Sequence, residues 1–95
     1  LISIHDKKQE ELTLKRYAYY DSMTGLPNRR FLTEKLDELL KNGIQGMLTV
    51  VDIDNFKTIN EALGYSTGDI LIKSIAERLS ESLSDSLISY LGGDE

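Results

Sequence analysis

Apolar positions along the chain fall into helical stripes separated by short unbroken runs. From Ile2 to Tyr20 the apolar residues Ile2, Ile4, Leu12, Leu14, Tyr17 and Tyr19 are scattered among charges, with no Gly or Pro between them. That predicts a helix, though one with poor heptads. Asp21 to Pro27 gathers Ser, Thr, Gly and Pro and reads as a loop. Asn28 is placed to cap a second helix. Leu32, Leu36, Leu39 and Leu40 fall at i, i+4, i+7 and i+8 and form one stripe. Asn42-Gly43 ends it, because glycine tolerates the left-handed position that follows a helix.

Met47 to Ile53 changes the period. This run is apolar almost throughout and rich in β-branched residues, so it predicts a central strand buried on both faces. Phe56, Ile59 and Leu63 return to helical spacing, and Gly64 stops that helix, expected over Asn55–Leu63. Ser66 with Asp69 three residues on resembles a capping box, predicting a helix over Thr67–Leu83. Its stripe is Ile72, Ile75, Ala76, Leu79 and Leu83. Leu87 to Leu91 reads as a second strand, and Gly92-Gly93 opens a turn. The order of helix, helix, strand, helix, helix, strand and turn predicts an α/β (α+β) half-domain with neighbouring strands flanked by helices.

Composition narrows the function classes. The chain has 95 residues, 40% hydrophobic and 28% charged, the balance of one small globular domain. Leu1 in place of Met points to a piece of a longer protein. No cysteine is present, which removes disulfides and thiolate metal sites and fits a reducing, cytoplasmic setting. No signal peptide and no apolar run of about 18 residues is found, so no direct membrane contact is expected of this segment. The net charge of −5 repels a phosphate backbone, so no nucleic-acid partner is expected. A single phosphate ligand needs only local donors and a metal.

Three places could carry chemistry. Asp52 closes the first predicted strand, and ligands bind open α/β sheets beyond the carboxyl ends of strands. A carboxylate there can hold Mg²⁺, a hard ion that takes oxygen ligands and substrate phosphates. Asp94 and Glu95 follow the second strand on a glycine turn. Whether Asp52 and Asp94 meet depends on how the two strands run. The run Asp52-Ile53-Asp54-Asn55-Phe56-Lys57 leads a strand straight into a helix, whose first N–H groups and dipole suit a phosphate. Each feature also has a structural explanation. An Asp after a strand often caps a helix, Gly-Gly-Asp is an ordinary hairpin turn, and Lys57 suits a solvated surface. Asn60 can pair with a purine edge and Asp69 can accept from guanine N–H groups, yet both residue types also cap helices. No Gly-x-x-x-x-Gly-Lys-Ser/Thr loop is present, which excludes a P-loop NTPase. His5 reads as a solvated surface residue. Tyr17, Tyr19 and Tyr20 read as packing for the leading helix.

Taken together, three stretches resemble one family. Asp21-Ser22-Met23-Thr24-Gly25-Leu26-Pro27-Asn28-Arg29-Arg30 is similar to the opening motif of GGDEF domains. Val51 to Lys57, with Asn60, Gly64 and Gly68-Asp69, resembles the family's metal and nucleotide stretch. Leu91-Gly92-Gly93-Asp94-Glu95 resembles the signature itself. The resemblance divides the chain into an N-terminal signalling or linker helix, residues 1–20, and the N-terminal half of a GGDEF domain, residues 21–95, with a fold like the palm of nucleotide cyclases.

The resemblance implies a diguanylate cyclase that condenses two GTP into cyclic di-GMP and two pyrophosphates, each GTP held by one of two facing domains of a homodimer. Asp52, Asp94 and Glu95 would be catalytic. Asp52, Asp94 and the Ile53 carbonyl would bind Mg²⁺ or Mn²⁺. Asn55, Phe56 and Lys57 would hold phosphates, and Asn60 and Asp69 would read guanine. An upstream sensor is implied, in a protein that could be membrane-anchored, and this piece alone is not expected to be active. The alternative is a degenerate module that binds GTP or serves as a regulatory or dimerisation domain. Tyr65, Glu61 and Tyr90 depart from the residues common in the family, where His, Asp and Arg stand. Leu83 and Ser86 occupy the Arg-x-x-Asp positions of the product-inhibition site.

Overall fold

Among the described residues four helices carry the fold: α1 (Ile4–Tyr19), α2 (Arg29–Lys41), α3 (Phe56–Leu63) and α4 (Tyr65–Ser82). The computed structural model describes the backbone of residues 4–95 and the side chains of residues 9–95. The expected surface position of the His5 side chain lies outside the described residues.

The α1–α2 connection is built as its sequence requires. The Asp21 carboxylate accepts from the Thr24 N–H at 2.7 Å and from the Thr24 hydroxyl at 2.8 Å. This is the local side-chain bonding that makes Asp a turn residue. Gly25, at φ +73, closes the turn and donates to the Asp21 carbonyl at 2.8 Å. Asn28 does three things. Its Oδ1 accepts from Phe31 N–H, capping α2. Its Nδ2 donates to the Ala18 carbonyl at 3.0 Å, and its backbone N–H donates to the Tyr19 carbonyl at 2.9 Å. One residue thus starts α2 and ties off α1. Tyr19 and Tyr20 pack on Phe31, with centroids 6.3 and 5.5 Å away. Tyr17 takes no part in that packing and is exposed.

α3 and α4 pack against each other, as do α1 and α2. Gly68, Ile72 and Ala76, along one face of α4, are its buried residues. The expected capping box does not form. Gly64, at φ +91, turns the chain so sharply that α4 starts at Tyr65. Ser66 and Asp69 therefore lie inside the helix, and no side chain caps it.

The predicted strands are the larger departure. Among the described residues there is no strand, only an isolated antiparallel bridge between Tyr20 and Pro27. Residues 47–53 and 87–91 are non-helical, as expected, but they exchange no backbone hydrogen bonds with each other. They line, with the stripes of α2 and α4, an apolar cleft of about 550 Å³. Burial on both faces is not achieved, for Met47 is 93% and Val50 63% exposed. A two-faced strand needs a packed layer on each side and a paired neighbour along its edge. The described residues supply helices on one side and no ladder.

Candidate functional site

The site begins with two loops joined by one backbone bond. Ile53 N–H donates to the Asp94 carbonyl at 3.1 Å. That bond sets the end of the 47–53 run beside the glycine turn and resolves what the sequence left open: Asp52 and Asp94 meet. The turn is tight. Gly92 and Gly93 have φ of +105 and +60, values that β-carbons disfavour. Leu91 N–H donates to the Glu95 carbonyl at 2.9 Å and Glu95 N–H to the Gly92 carbonyl at 3.3 Å.

The electrostatics follow from that juxtaposition. Side-chain hydrogen bonding with Asp94, in which the protonated Asp52 carboxyl donates, is the main influence raising Asp52 above its ordinary value of 3.8. Desolvation adds to it, then the negative charges of Asp94, Glu95 and Asp54. Like charges held together disfavour ionisation. Asp52 itself is exposed and Asp94 half-buried, so Asp52 is not the buried strand-end carboxylate that its run implied.

Among the described residues no three or more His, Cys, Asp or Glu side chains cluster as a metal cage. The donor set nonetheless fits Mg²⁺, which binds through one or two carboxylates and completes its shell with water and phosphate oxygens. Asp52 and Asp94, whose nearness raises the Asp52 carboxyl, are such a pair.

α3 opens beside this pair. Its preceding residue, Asn55, is left-handed at φ +59 and makes no side-chain cap. The N–H groups of the first turn, at Phe56 and Lys57, are therefore left without a side-chain partner, the arrangement that receives anions. The Lys57 ammonium extends into solvent and stands 3.9 Å from Glu61.

One turn further along α3, Asn60 faces α4. Its Oδ1 is buried without a hydrogen-bond partner. Asp69 is exposed on α4. Two residues have roles that sequence reasoning missed. Gly68 is buried where Asn60 meets α4. The signal for it was a glycine inside a helical stripe. Tyr90 donates its hydroxyl to the Gly93 carbonyl at 2.7 Å, and its backbone N–H donates to the Pro27 carbonyl at 2.9 Å. Burial, and then the charges of Asp21, Asp69 and Asp94, hold the Tyr90 hydroxyl above its ordinary pKa, so it stays a donor.

Comparison with known proteins gives a consistent set of likenesses. The family model described as diguanylate cyclase, GGDEF domain, matches residues 18–95. The diguanylate cyclase TpbB of Pseudomonas aeruginosa is 40% identical over 93 residues, covering 93% of this chain and 21% of TpbB. The diguanylate cyclase DgcP of Escherichia coli is 36% identical over 99 residues, covering 97% of this chain and 28% of DgcP. The chain therefore spans about a quarter of these relatives. Among solved structures, the GGDEF domain of TpbB matches with a TM-score of 0.66 at 34% identity, over 80% of this chain and 47% of that one. The S helix-GGDEF-EAL portion of Vibrio cholerae LapD, bound to c-di-GMP, matches with a TM-score of 0.86 at 24% identity, over 97% of this chain and 23% of that one. The latter likeness is one of fold.

Proposed function

Because the chain belongs to the GGDEF family, we propose that it forms part of a diguanylate cyclase domain condensing two GTP into cyclic di-GMP and two pyrophosphates. The observation that carries the reading is the meeting of Asp52 and Asp94 through the Ile53–Asp94 bond, beside the uncapped start of α3.

Asp52, Asp94 and the Ile53 carbonyl would hold Mg²⁺ or Mn²⁺, which supplies charge stabilisation at the transferring phosphoryl group when bound. The chain's own groups do the rest. The N–H groups from Asn55 to Lys57 bind triphosphate oxygens. Asn60 and Asp69 read guanine. Glu95 takes the proton of the 3′-hydroxyl, whose oxygen attacks the α-phosphorus of the facing GTP. The new phosphodiester forms as the α–β bond breaks, and pyrophosphate leaves with that electron pair. Two such steps close the ring, so two domains must face each other, under control of an upstream sensor. A GTP substrate places the domain in the cytoplasm. Among the described residues no helix is long and apolar enough to cross a membrane. With Leu83 and Ser86 at the feedback positions, product inhibition by the Arg-x-x-Asp route is not available.

The second reading is a regulatory GGDEF module without turnover, favoured by Tyr65 and Tyr90 where the family commonly has His and Arg. Incubating the full-length protein with GTP and Mg²⁺ separates the two. Cyclic di-GMP that disappears in Asp94→Asn supports the cyclase. GTP binding without product supports the regulatory module.

A further inference from the structure

Gly68 is a glycine with no conformational reason to be one. Gly25, Gly43, Gly64, Gly92 and Gly93 all have positive φ, and Gly68 does not. It lies within α4, where glycine is the poorest of the ordinary helix formers. Space explains it. A β-carbon at position 68 would overlap Asn60 Oδ1 and stand 2.9 Å from Asn60 Cγ and 3.3 Å from Phe56 Cζ. The Asn60 carboxamide occupies the volume that any other residue at 68 would fill.

We infer that Gly68 is a positioning residue for nucleotide recognition: its bare Cα provides the recess that receives Asn60 Oδ1 and turns the amide nitrogen outward. Oδ1 is the amide atom buried there without a partner, which leaves Nδ2 as the end that can donate to a ligand. Asn60 then presents a donor, while the neighbouring exposed Asp69 presents an acceptor. A donor beside an acceptor complements guanine, whose O6 accepts while its N1–H and N2–H₂ donate. Adenine carries a donor where guanine carries O6. An alanine at 68 drives the amide out of its recess and removes the fixed polarity. The inference rests on the cyclase reading for the identity of the base, but not for the fit between positions 60 and 68.

The test is a double-mutant cycle in the full-length protein with Gly68→Ala, Asn60→Ala and the pair, reading GTP and ATP binding and the melting temperature. Gly68→Ala should weaken GTP binding about tenfold, the value of one well-placed hydrogen bond. It should also erode the preference over ATP and lower the melting temperature. In the Asn60→Ala background the same change should leave nucleotide binding where it was. There it should raise the melting temperature, because the recess is empty and alanine is the better helix former. Equal losses of stability in both backgrounds would overturn the inference, as would an unaltered GTP preference in Gly68→Ala. A wild type that binds no GTP would overturn the cyclase reading and the nucleotide part with it. Non-additive melting would even then establish that Gly68 places Asn60.

Discussion

Tyr90→Phe removes one hydroxyl and nothing else of size, so its effect isolates the bond to the Gly93 carbonyl. That bond is 2.7 Å long and spans the two glycines that shape the turn. Glycine has the most backbone freedom to lose, so a turn of two glycines is entropically the costliest to hold. A hydrogen bond of this kind contributes about 1 kcal/mol net, or about fivefold in the population of the ordered turn. Asp94 follows Gly93 directly, and its own carbonyl receives Ile53 N–H at 3.1 Å. Loosening the turn therefore reduces the fraction of molecules in which the Asp52–Asp94 pair is preformed.

The expected result is an increase of about fivefold in the Mg²⁺ concentration needed for half-maximal cyclic di-GMP output. Losing a supporting hydrogen bond around a metal site costs about 10- to 100-fold in affinity at the upper end. The phenyl ring stays, so the melting temperature should fall by only a few degrees. The assay is a Mg²⁺ titration of product formation in the full-length protein, paired with calorimetric titration of Mn²⁺ in the presence of GTP. Wild-type Mg²⁺ dependence in Tyr90→Phe would refute the reasoning and leave the hydroxyl a bystander.

Three further outcomes are expected. Asp52→Asn should abolish cyclic di-GMP output while leaving the melting temperature without divalent cations equal or slightly higher, because it removes the repulsion at the pair; retained output would exclude a metal role for Asp52. Wild-type stability without metal should decline as pH rises through the raised Asp52 value, since a carboxyl that holds its proton more tightly when folded favours the fold fully only below its ordinary 3.8. Asp52→Asn should flatten that part of the pH–stability curve, and an identical slope in both proteins would refute the assignment. Asn28→Ala should destabilise the domain by about 1 kcal/mol through the lost α2 cap alone, and by more if the Nδ2 bond to Ala18 contributes; thermal melts unchanged within error would count against the role assigned to that cap.

The helices were legible because their determinants are local. The Leu32, Leu36, Leu39 and Leu40 stripe, the Asn28 cap and the Gly43 and Gly64 stops can all be read within a turn or two of chain. α4 began two residues early because a left-handed Gly64 made a start at Tyr65 possible, which Ser66 and Asp69 did not reveal. The strands were legible as apolar runs but not as a ladder. Pairing belongs to two distant segments, and the backbone of Met47–Ile53 bonds not to the second but to the turn after it, through Ile53 and Asp94. The site divided in the same way. The candidate acids could be named from their motifs, yet their meeting depended on the relative course of two loops. Gly68 and Asn60 lie eight residues apart on different helices, and only the α3–α4 crossing shows that one makes room for the other.

Tyr90 also bears on the choice between an active and a degenerate domain. Two kinds of bond converge on it. Its backbone N–H donates to the Pro27 carbonyl, a link any residue other than proline could make. That link joins the signature turn to the segment where Asn28 receives the end of α1, through Ala18 and Tyr19. Backbone and Asn28 hydrogen bonds thus tie the leading helix to the signature turn without using the side chain at position 90 at all. What the side chain adds is the lock on Gly93, and tyrosine makes that bond with a neutral hydroxyl at 2.7 Å. An arginine there would bring a positive charge among Asp21, Asp69 and Asp94; the tyrosine brings none, and burial, then those acids, hold its hydroxyl above its ordinary pKa. The departure from the family residue therefore changes the charge beside the carboxylate pair while keeping the turn closed. A cation at the pair then faces more uncompensated negative charge than it would with arginine present. On electrostatic grounds that favours metal binding, which offsets what the departure at Tyr90 says for the regulatory module.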